Sequence, residues 1–151
     1  MAASYIEAPY KGVPNPKFPS IFLAGGITDC WNWQASVYGK IKHLNLNVYN
    51  PRRVNAPNNL VKTAEEQIAW EYKYLRECQQ VAFWFPEETL CPIVLFELGA
   101  ALERHQHLII GCHKFYKRRL DLEIQLKLKN EYASVITDIN KFVDVIIDVN
   151  S

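Results

Sequence analysis

The sequence predicts a doubly wound α/β domain, with a mostly parallel sheet of about five strands and helices on both faces. Short apolar runs, typical of buried strands, alternate with helical segments along most of the 151 residues. Glycine, proline or asparagine follows several of these runs and marks the turns between elements. Because strands that alternate with helices pair in parallel through crossover connections, the pattern predicts a parallel sheet, and a length of 151 residues suits a single domain.

The composition restricts both the class of protein and the class of ligand. Hydrophobic residues make up 49% of the chain and charged residues 22%, which is typical of a globular protein. The formal net charge of +1 leaves no large basic surface for a nucleic acid polymer, so the expected ligand is a small molecule. The N-terminus has no signal-peptide core, and no apolar run is long enough to cross a bilayer. We therefore expect a cytoplasmic protein without a membrane partner.

The first half of the chain predicts an arm followed by two strand–helix pairs. Four prolines within residues 1–19 predict an extended N-terminal arm without regular structure, and residues 20–151 are expected to form the single domain. The predicted elements are a strand over 20–24, a helix over 31–44 capped by Thr28 or Asp29, a strand over 46–49 and a helix over 63–78. A polar loop through residues 55–59 precedes the second helix.

The second half predicts a strand over 81–85, a helix over 92–104, and strands over 107–112 and 143–149. The segment 117–130 is ambiguous, because its leucines alternate as in a strand whereas its lysine, glutamate and glutamine residues favour a helix. We predict a helix there, since a crossover must precede the last apolar run.

Four clusters of distinctive residues fall where predicted strands end. They are Gly25-Gly26, Asn50 to Arg53, Pro86 to Thr89, and the first half of the helix that carries Glu97. Ligands of parallel α/β sheets bind outside the carboxyl ends of the strands. Four clusters along one edge of the sheet therefore predict a ligand site at that edge.

Glu97 is the main candidate for a catalytic residue. It is the single charged residue in the run CPIVLFELGAAL, residues 91–102. A carboxylate among large apolar side chains is unfavourable unless it has partners or faces a cavity. The alternative is an exposed glutamate favoured by the positive end of its helix, although a helix that is apolar all round is typically buried.

Other residues at this edge suit substrate binding, and each also has a plain structural explanation. Gly25-Gly26 allow a backbone to approach a sugar or phosphate, but a tight turn favours glycine equally well. Arg52 and Arg53 suit a phosphate or carboxylate, or they form ion pairs with nearby acids. Trp70 and the aromatic residues 83–85 suit stacking on a base, or they pack in the core.

The histidines and cysteines do not predict a metal site. His105, His107, Cys112 and His113 match no familiar ligand spacing, and a strand directs His107 and Cys112 to opposite faces. The four cysteines, spread from residue 30 to residue 112, lack the spacing of a disulfide framework or of paired zinc ligands. We expect no metal, no cofactor and reduced cysteines.

Several short motifs follow one another in a characteristic order. They are Ile21-Phe22-Leu23-Ala24-Gly25-Gly26-Ile27, Asn50-Pro51-Arg52-Arg53, Gln67-Ile68-Ala69-Trp70-Glu71, Phe83-Trp84-Phe85-Pro86, Thr89, Pro92 and Phe96-Glu97-Leu98-Gly99. Together they resemble the nucleoside 2-deoxyribosyltransferase-like family, over about residues 20–125. The chain departs from the family's pattern at two places. Many relatives have an aspartate where this chain has Gln79-Gln80, and the better-known transferases have a small polar Gly-Thr pair shortly before the nucleophile, where this chain has Ile93 and Val94.

The resemblance implies a flavodoxin-like or Rossmann-like sheet and a reaction at an N-glycosidic bond. The expected substrate is a (2′-deoxy)nucleoside or its 5′-monophosphate, whose deoxyribosyl group passes to another base or to water. Glu97 is implied as the nucleophile that attacks C1′, and Glu71, Glu87 and Glu88 are candidates for the acid, with Glu71 as the second catalytic residue. The candidate substrate-binding residues are Gly25, Gly26, Ile27, Asn50, Arg52, Arg53, Trp70, Phe85, Pro86, Glu87 and Thr89.

Two further expectations concern partners. The resemblance and the aromatic content of 13% both favour a homodimer or a higher homo-oligomer, since a lone domain has difficulty covering so much apolar surface. The alternative to an enzyme is a module that binds a nucleotide or nucleoside derivative without catalysis. In both cases the partner is a small molecule.

Overall fold

The computed structural model of the protein describes residues 2–9, 12–53 and 61–151. In these ranges the strands are β1 (Ser4–Glu7), β2 (Ser20–Gly25), β3 (Asn47–Asn50), β4 (Gln80–Phe85) and β5 (His107–Cys112). The helices are α1 (Trp33–Ile41), α2 (Val61–Glu77), α3 (Pro92–Ala101), α4 (Arg119–Lys129) and α5 (Ile139–Asn150). The polar loop predicted through residues 55–59 lies outside the described residues.

The strands form one parallel sheet in the spatial order β1-β3-β2-β4-β5. β2 lies in the centre, where Phe22 pairs with Tyr49 of β3 on one side and with Val81 of β4 on the other. The chain adds β3 on one side of β2 and later adds β4 and β5 on the other side. A ligand crevice forms at such a reversal of strand order, here between β2 and β4. The predicted doubly wound fold class is confirmed.

Helices cover both faces of the sheet and produce two apolar cores. One face carries α1 and α5, whose Trp33 and Phe142 rings meet edge to face with centroids 6.2 Å apart. The other face carries α2, α3 and α4, which bury Leu75, Leu98 and Leu122. Because both faces are covered, β2 and β4 are buried along nearly their whole length. This burial fixes the positions of the strand ends that build the ligand crevice.

The last apolar run forms α5, so the strand predicted over residues 143–149 is wrong. Phe142, Val143 and Ile146 have helical spacing, and all three are buried. Asp138 caps the helix because its side chain accepts hydrogen bonds from two backbone N–H groups of the first turn. The valines and isoleucines favoured a strand in the prediction, but burial of one helical stripe outweighs that preference.

Part of the N-terminal arm is a strand, contrary to the prediction of an arm without regular structure. β1 lies at the edge of the sheet, with Tyr5 opposite Val48 of β3. The Ala8 N–H extends this pairing by donating to the Asn50 carbonyl oxygen at 3.1 Å. No proline precedes Pro9, so the backbone N–H groups of β1 are free to join the ladder. The division into an arm (1–19) and one domain (20–151) stays a prediction.

The other elements agree with the sequence prediction, apart from the ends of some helices. α4 confirms the helical interpretation of the ambiguous segment 117–130. α1 begins at Trp33, because Asn32 caps it in place of Thr28 or Asp29 by accepting a hydrogen bond from a backbone N–H of the first turn. Within the described ranges, none of the helices combines the length and the apolarity needed to cross a membrane.

Candidate active site

A cavity of about 200 Å³ opens at the C-terminal ends of β2 and β4, where the strand order reverses. Its wall combines the end of β2, the loop before α3, the first two turns of α3 and one glutamate from α2. Six of the residues that the sequence predicted for the site meet here: Gly25, Gly26, Ile27, Glu71, Thr89 and Glu97.

Two glycines allow the elements of the cavity wall to approach one another. A Cβ added to Gly25 would lie 2.2 Å from the Trp84 carbonyl oxygen of β4. A Cβ on Gly26 would lie 2.7 Å from the ring of Pro86 and 3.0 Å from the Cys91 Sγ. The Gly26 carbonyl oxygen also accepts hydrogen bonds from two buried side chains of α1. Close packing therefore requires glycine at these positions, whether or not a substrate contacts them.

The turn before α3 directs its first residues toward the cavity. Cys91 adopts a left-handed backbone with φ of 52°, and Pro92 takes the first helical position, where a backbone N–H would have no partner in the helix. The Thr89 Oγ1 accepts a hydrogen bond from the Cys91 N–H at 3.4 Å. Glu97 follows in the second turn, where it lines the cavity together with the buried Val94.

Glu71 of α2 and Glu97 of α3 form a coupled pair of carboxyl groups. Burial raises the pKa of Glu71 to about 8, and repulsion by Glu97 adds to this, whereas a hydrogen bond with Gln67 and the charge of Arg53 act in the opposite direction. Burial also raises the pKa of Glu97 to about 7, although two arginines oppose the rise. Between these pKa values the pair holds one proton, with Glu97 as the more acidic member.

A second cavity of about 210 Å³ lies between α2 and α3, on the outer side of the carboxyl pair. We call the cavity at the strand ends the inner cavity and this second one the outer cavity. Both are lined by Glu71, Ile93 and Glu97, and the outer cavity is also lined by Arg76 and Arg104. Neither arginine is among the site residues predicted from the sequence. Arg76 lies on α2 and Arg104 lies three residues beyond the end of α3, so no helical spacing within one element connects either arginine with Glu97, and no local sequence signal selects them.

The residues that follow β3 hold the edge of the sheet together. Asn50 is buried, and its Nδ2 donates to the Tyr5 hydroxyl at 2.9 Å. The Arg52 guanidinium donates to two backbone carbonyl oxygens in the loop before α1, at 2.8 and 2.9 Å, and it lines neither cavity. Arg53 lies close enough to Glu71 to lower the pKa of that carboxyl. Of the two adjacent arginines, only the charge of Arg53 therefore acts on the carboxyl pair.

The predicted aromatic contacts lie behind the cavity wall. Trp70 is 7% exposed and packs in an aromatic cluster of α2, β2 and β3, and Phe85 is fully buried. Pro86 packs beside the backbone of Gly26. Glu87 is exposed, with its Oε2 3.6 Å from the Nδ1 of His113. Substrate-binding roles for these residues stay predictions.

The cysteine and histidine side chains do not gather at one place. In the part of the chain that the structure describes, no three His, Cys, Asp or Glu side chains are grouped to hold a metal ion. Cys112 is buried, and burial raises the pKa of its thiol to about 11. All four cysteines are free thiols.

Comparison with known families identifies the kind of domain that carries this site. The family model described as nucleoside 2-deoxyribosyltransferase like matches residues 18–116, about two-thirds of the chain. The chain belongs to the nucleoside 2-deoxyribosyltransferase-like family. The resemblance inferred from the short motifs is confirmed. A comparison with curated proteins found no match.

The segment shared with the nucleoside 2-deoxyribosyltransferase-like family contains the whole site. Every residue that lines either the inner or the outer cavity lies within residues 18–116. β1, α4 and α5 lie outside this segment and complete the sheet and its two faces. The carboxyl pair, the glycine turn and the two arginines are thus all parts of the family's domain.

Proposed function

We propose that the protein cleaves the N-glycosidic bond of a (2′-deoxy)nucleoside or its 5′-monophosphate and transfers the deoxyribosyl group to another base or to water. The observation that carries this proposal is the pair of half-buried carboxyl groups, Glu71 and Glu97, on the wall of one cavity. Family membership supports nucleoside chemistry. Two carboxyl groups with separated pKa values supply the nucleophile and the acid that glycosidic cleavage requires.

The charges around the pair support a distinct role for each glutamate. Arg76 and Arg104 favour the ionised form of Glu97, whereas the repulsion within the pair favours the protonated form of Glu71. Glu97 is therefore the nucleophile and Glu71 the general acid. An anionic Glu97 also stabilises the positive charge that develops on the sugar in the oxocarbenium-like transition state.

The reaction proceeds in two displacements at C1′. In the first, a Glu97 carboxylate oxygen bonds to C1′ while the C1′–N bond breaks, and the departing base takes the proton of Glu71. In the second, the Glu71 carboxylate accepts a proton from water or from an incoming base, whose oxygen or nitrogen bonds to C1′ and releases Glu97. Protons and bonds balance without a metal or a cofactor, so we expect a chelator to leave the rate unchanged.

The remaining wall of the inner cavity suits a sugar and a base. The backbone at Gly25-Gly26 permits close approach of the sugar, and the Thr89 hydroxyl is able to exchange hydrogen bonds with it. Ile27 and Ile93 offer apolar surface to the base. These residues are the proposed substrate contacts in addition to the carboxyl pair.

Release of free base from a panel of nucleosides and 5′-monophosphates, followed by chromatography, tests the proposal. The wild-type protein should release base from at least one member, and Glu97→Gln should abolish this release. Glu103→Gln is the matched control, because Glu103 is exposed in the turn after α3, forms an ion pair with Lys129 and lines neither cavity. Binding of a panel member without any release would favour the non-catalytic binding module instead.

We propose further that the protein is a homodimer or a higher homo-oligomer. Ile68, Tyr72, Ile93 and Phe96 surround the outer cavity and are 61–77% exposed. Large apolar side chains grouped on one surface are typical of a protein interface. A second copy packed on this surface would cover them and would enclose the outer cavity next to the carboxyl pair.

A cytoplasmic location is also proposed. All four cysteines are free thiols, three of them buried, which suits a reducing compartment. Disulfide bonds among these cysteines in protein that is isolated from cells without reductant would count against this location.

A further inference from the structure

We propose that Arg76 and Arg104 bind the 5′-phosphate of the substrate, so that the protein prefers a (2′-deoxy)nucleoside 5′-monophosphate over the nucleoside. The assignment rests on the proposed function, because attack by Glu97 fixes where C1′ of the sugar lies. It replaces one of the two interpretations left open for Arg52 and Arg53, that they bind an anion, since the Arg52 guanidinium is occupied by backbone carbonyl oxygens.

The outer cavity has the position that a 5′-phosphate requires. It contains both arginines and shares Glu71, Ile93 and Glu97 with the inner cavity. A 5′-phosphate is joined to C1′ through O4′, C4′, C5′ and O5′, so it lies beside the reacting carbon without overlapping the base. With C1′ at Glu97 and the base in the inner cavity, the outer cavity is the neighbouring space for the phosphate, because Glu97 lines both cavities.

The guanidinium of Arg76 is held in place by its own helix. Its Cζ lies 3.4 Å from the centroid of the Tyr72 ring, and its Nη1 donates to the Tyr72 carbonyl oxygen at 3.0 Å. Stacking on an aromatic face restricts the rotation of a guanidinium and leaves its edge available for an anion.

Arg104 is fixed by Gln106, which is itself anchored to the end of α2. The Arg104 Nε donates to the Gln106 Oε1 at 2.8 Å. The Gln106 Nε2 in turn donates to the carbonyl oxygens of Leu75 and Cys78, at 2.6 and 2.7 Å. Arg104 therefore keeps its two terminal nitrogens free of these contacts, and a planar guanidinium offers such a pair of donors to a phosphate.

The local charge favours an added anion. Burial lowers the pKa of Arg104, and the positive charge of Arg76 lowers it further, so each guanidinium destabilises the other. Among the described residues, no carboxylate oxygen lies within 4.0 Å of either guanidinium. Glu97 is the acid that acts on both guanidinium groups, and Glu71, the other acid of this cavity, keeps its proton at neutral pH because its pKa is raised to about 8, so one positive charge is in excess. A phosphate would neutralise that excess through charge-assisted hydrogen bonds.

Isothermal titration calorimetry with 2-deoxyribose 5-phosphate and 2-deoxyribose tests this site without knowledge of the base and without turnover. The wild-type protein should bind the sugar phosphate more tightly than the sugar. Arg76→Gln and Arg104→Gln should each weaken sugar phosphate binding by about ten-fold or more, the usual effect of losing a hydrogen bond to a charged group. Lys73→Gln removes a cation from the same helix outside both cavities, and its binding should match the wild type.

Equal affinity of the wild-type protein for the two sugars would overturn the proposal, and this comparison decides even where a variant fails to fold. A phosphate preference that survives in the double arginine variant would also overturn it. If the arginine variants change only the sedimentation mass, the arginines bind a second copy rather than a phosphate, and the proposal is again wrong. The proposed function fails separately, if no nucleoside or nucleotide releases base while arginine-dependent binding of the sugar phosphate persists.

Discussion

Base release by the carboxyl pair should follow a narrow bell-shaped pH profile. Glu97 must be ionised, which requires a pH above its pKa of about 7, and Glu71 must hold its proton, which requires a pH below its pKa of about 8. At about pH 7.5, midway between the two pKa values, each glutamate is in the required form in roughly three-quarters of the molecules. Roughly 60% of the molecules then have both glutamates in the form needed for catalysis. Well beyond either pKa, kcat/KM should fall about ten-fold for each pH unit.

Two substitutions assign the limbs of this profile. Glu71→Gln should lower kcat/KM by about 10²- to 10⁴-fold and abolish the alkaline limb, because the acid is gone. The acidic limb should keep its position, since Glu71 is already neutral at that pH. Arg104→Gln should move the acidic limb to higher pH, because that charge favours the ionised form of Glu97.

The assay is the initial rate of base release at constant ionic strength, from about pH 5 to about pH 10. Glu103→Gln should reproduce the wild-type profile. A wild-type rate that does not vary between about pH 6 and about pH 9 would refute the assignment. An alkaline limb that persists in Glu71→Gln would show that another group is the acid.

Three further variants test the fold and the site. Glu97→Gln should raise the thermal stability more at pH 8 than at pH 5. The reason is that the wild type loses stability as the pH rises from 4.5, the ordinary pKa of a glutamate, through about 7, the pKa of Glu97 in the folded protein. Equal gains in stability at both pH values would contradict this. Gly25→Ala should unfold at much lower urea concentration, because its Cβ would lie 2.2 Å from a β4 carbonyl oxygen, whereas Gly39→Ala, with no atom within 4 Å, should stabilise α1 by up to about 1 kcal/mol. Phe96→Glu should reduce the sedimentation mass to that of a monomer. The control Leu128→Glu, on the exposed side of α4, should leave the mass unchanged. An unchanged mass in both variants would place the interface elsewhere.

Local patterns in the sequence were enough to predict the part of the fold that builds the inner cavity. β2 and β4 are short apolar runs ended by Gly25-Gly26 and Pro86, and these signals do not depend on distant residues. Glu97 was selected because its surroundings along the chain are apolar, and Glu71 through a motif of the family. Both lie on the cavity wall because parallel strands bring their carboxyl ends to one edge.

Features that depend on packing between distant segments were not predictable in this way. β1 forms because residues 4–7 find a free edge of β3, which the sequence of the arm does not reveal. Arg52 is held by carbonyl oxygens of a loop about twenty residues earlier in the chain. Arg76 lies on α2 and Arg104 lies in the turn after α3, and they meet at Glu97 only after α2 and α3 pack.

Intact-mass spectrometry of acid-quenched reactions tests whether Glu97 is the nucleophile. During turnover of a substrate identified by base release, a fraction of the wild-type protein should gain the mass of one deoxyribosyl group, or of one 5-phosphodeoxyribosyl group where the substrate is a 5′-monophosphate, and peptide mapping should locate the adduct on Glu97. Glu97→Gln should show neither adduct nor release, while Glu103→Gln should show both. Base release that continues in Glu97→Gln, or an adduct located on another residue, would contradict the mechanism.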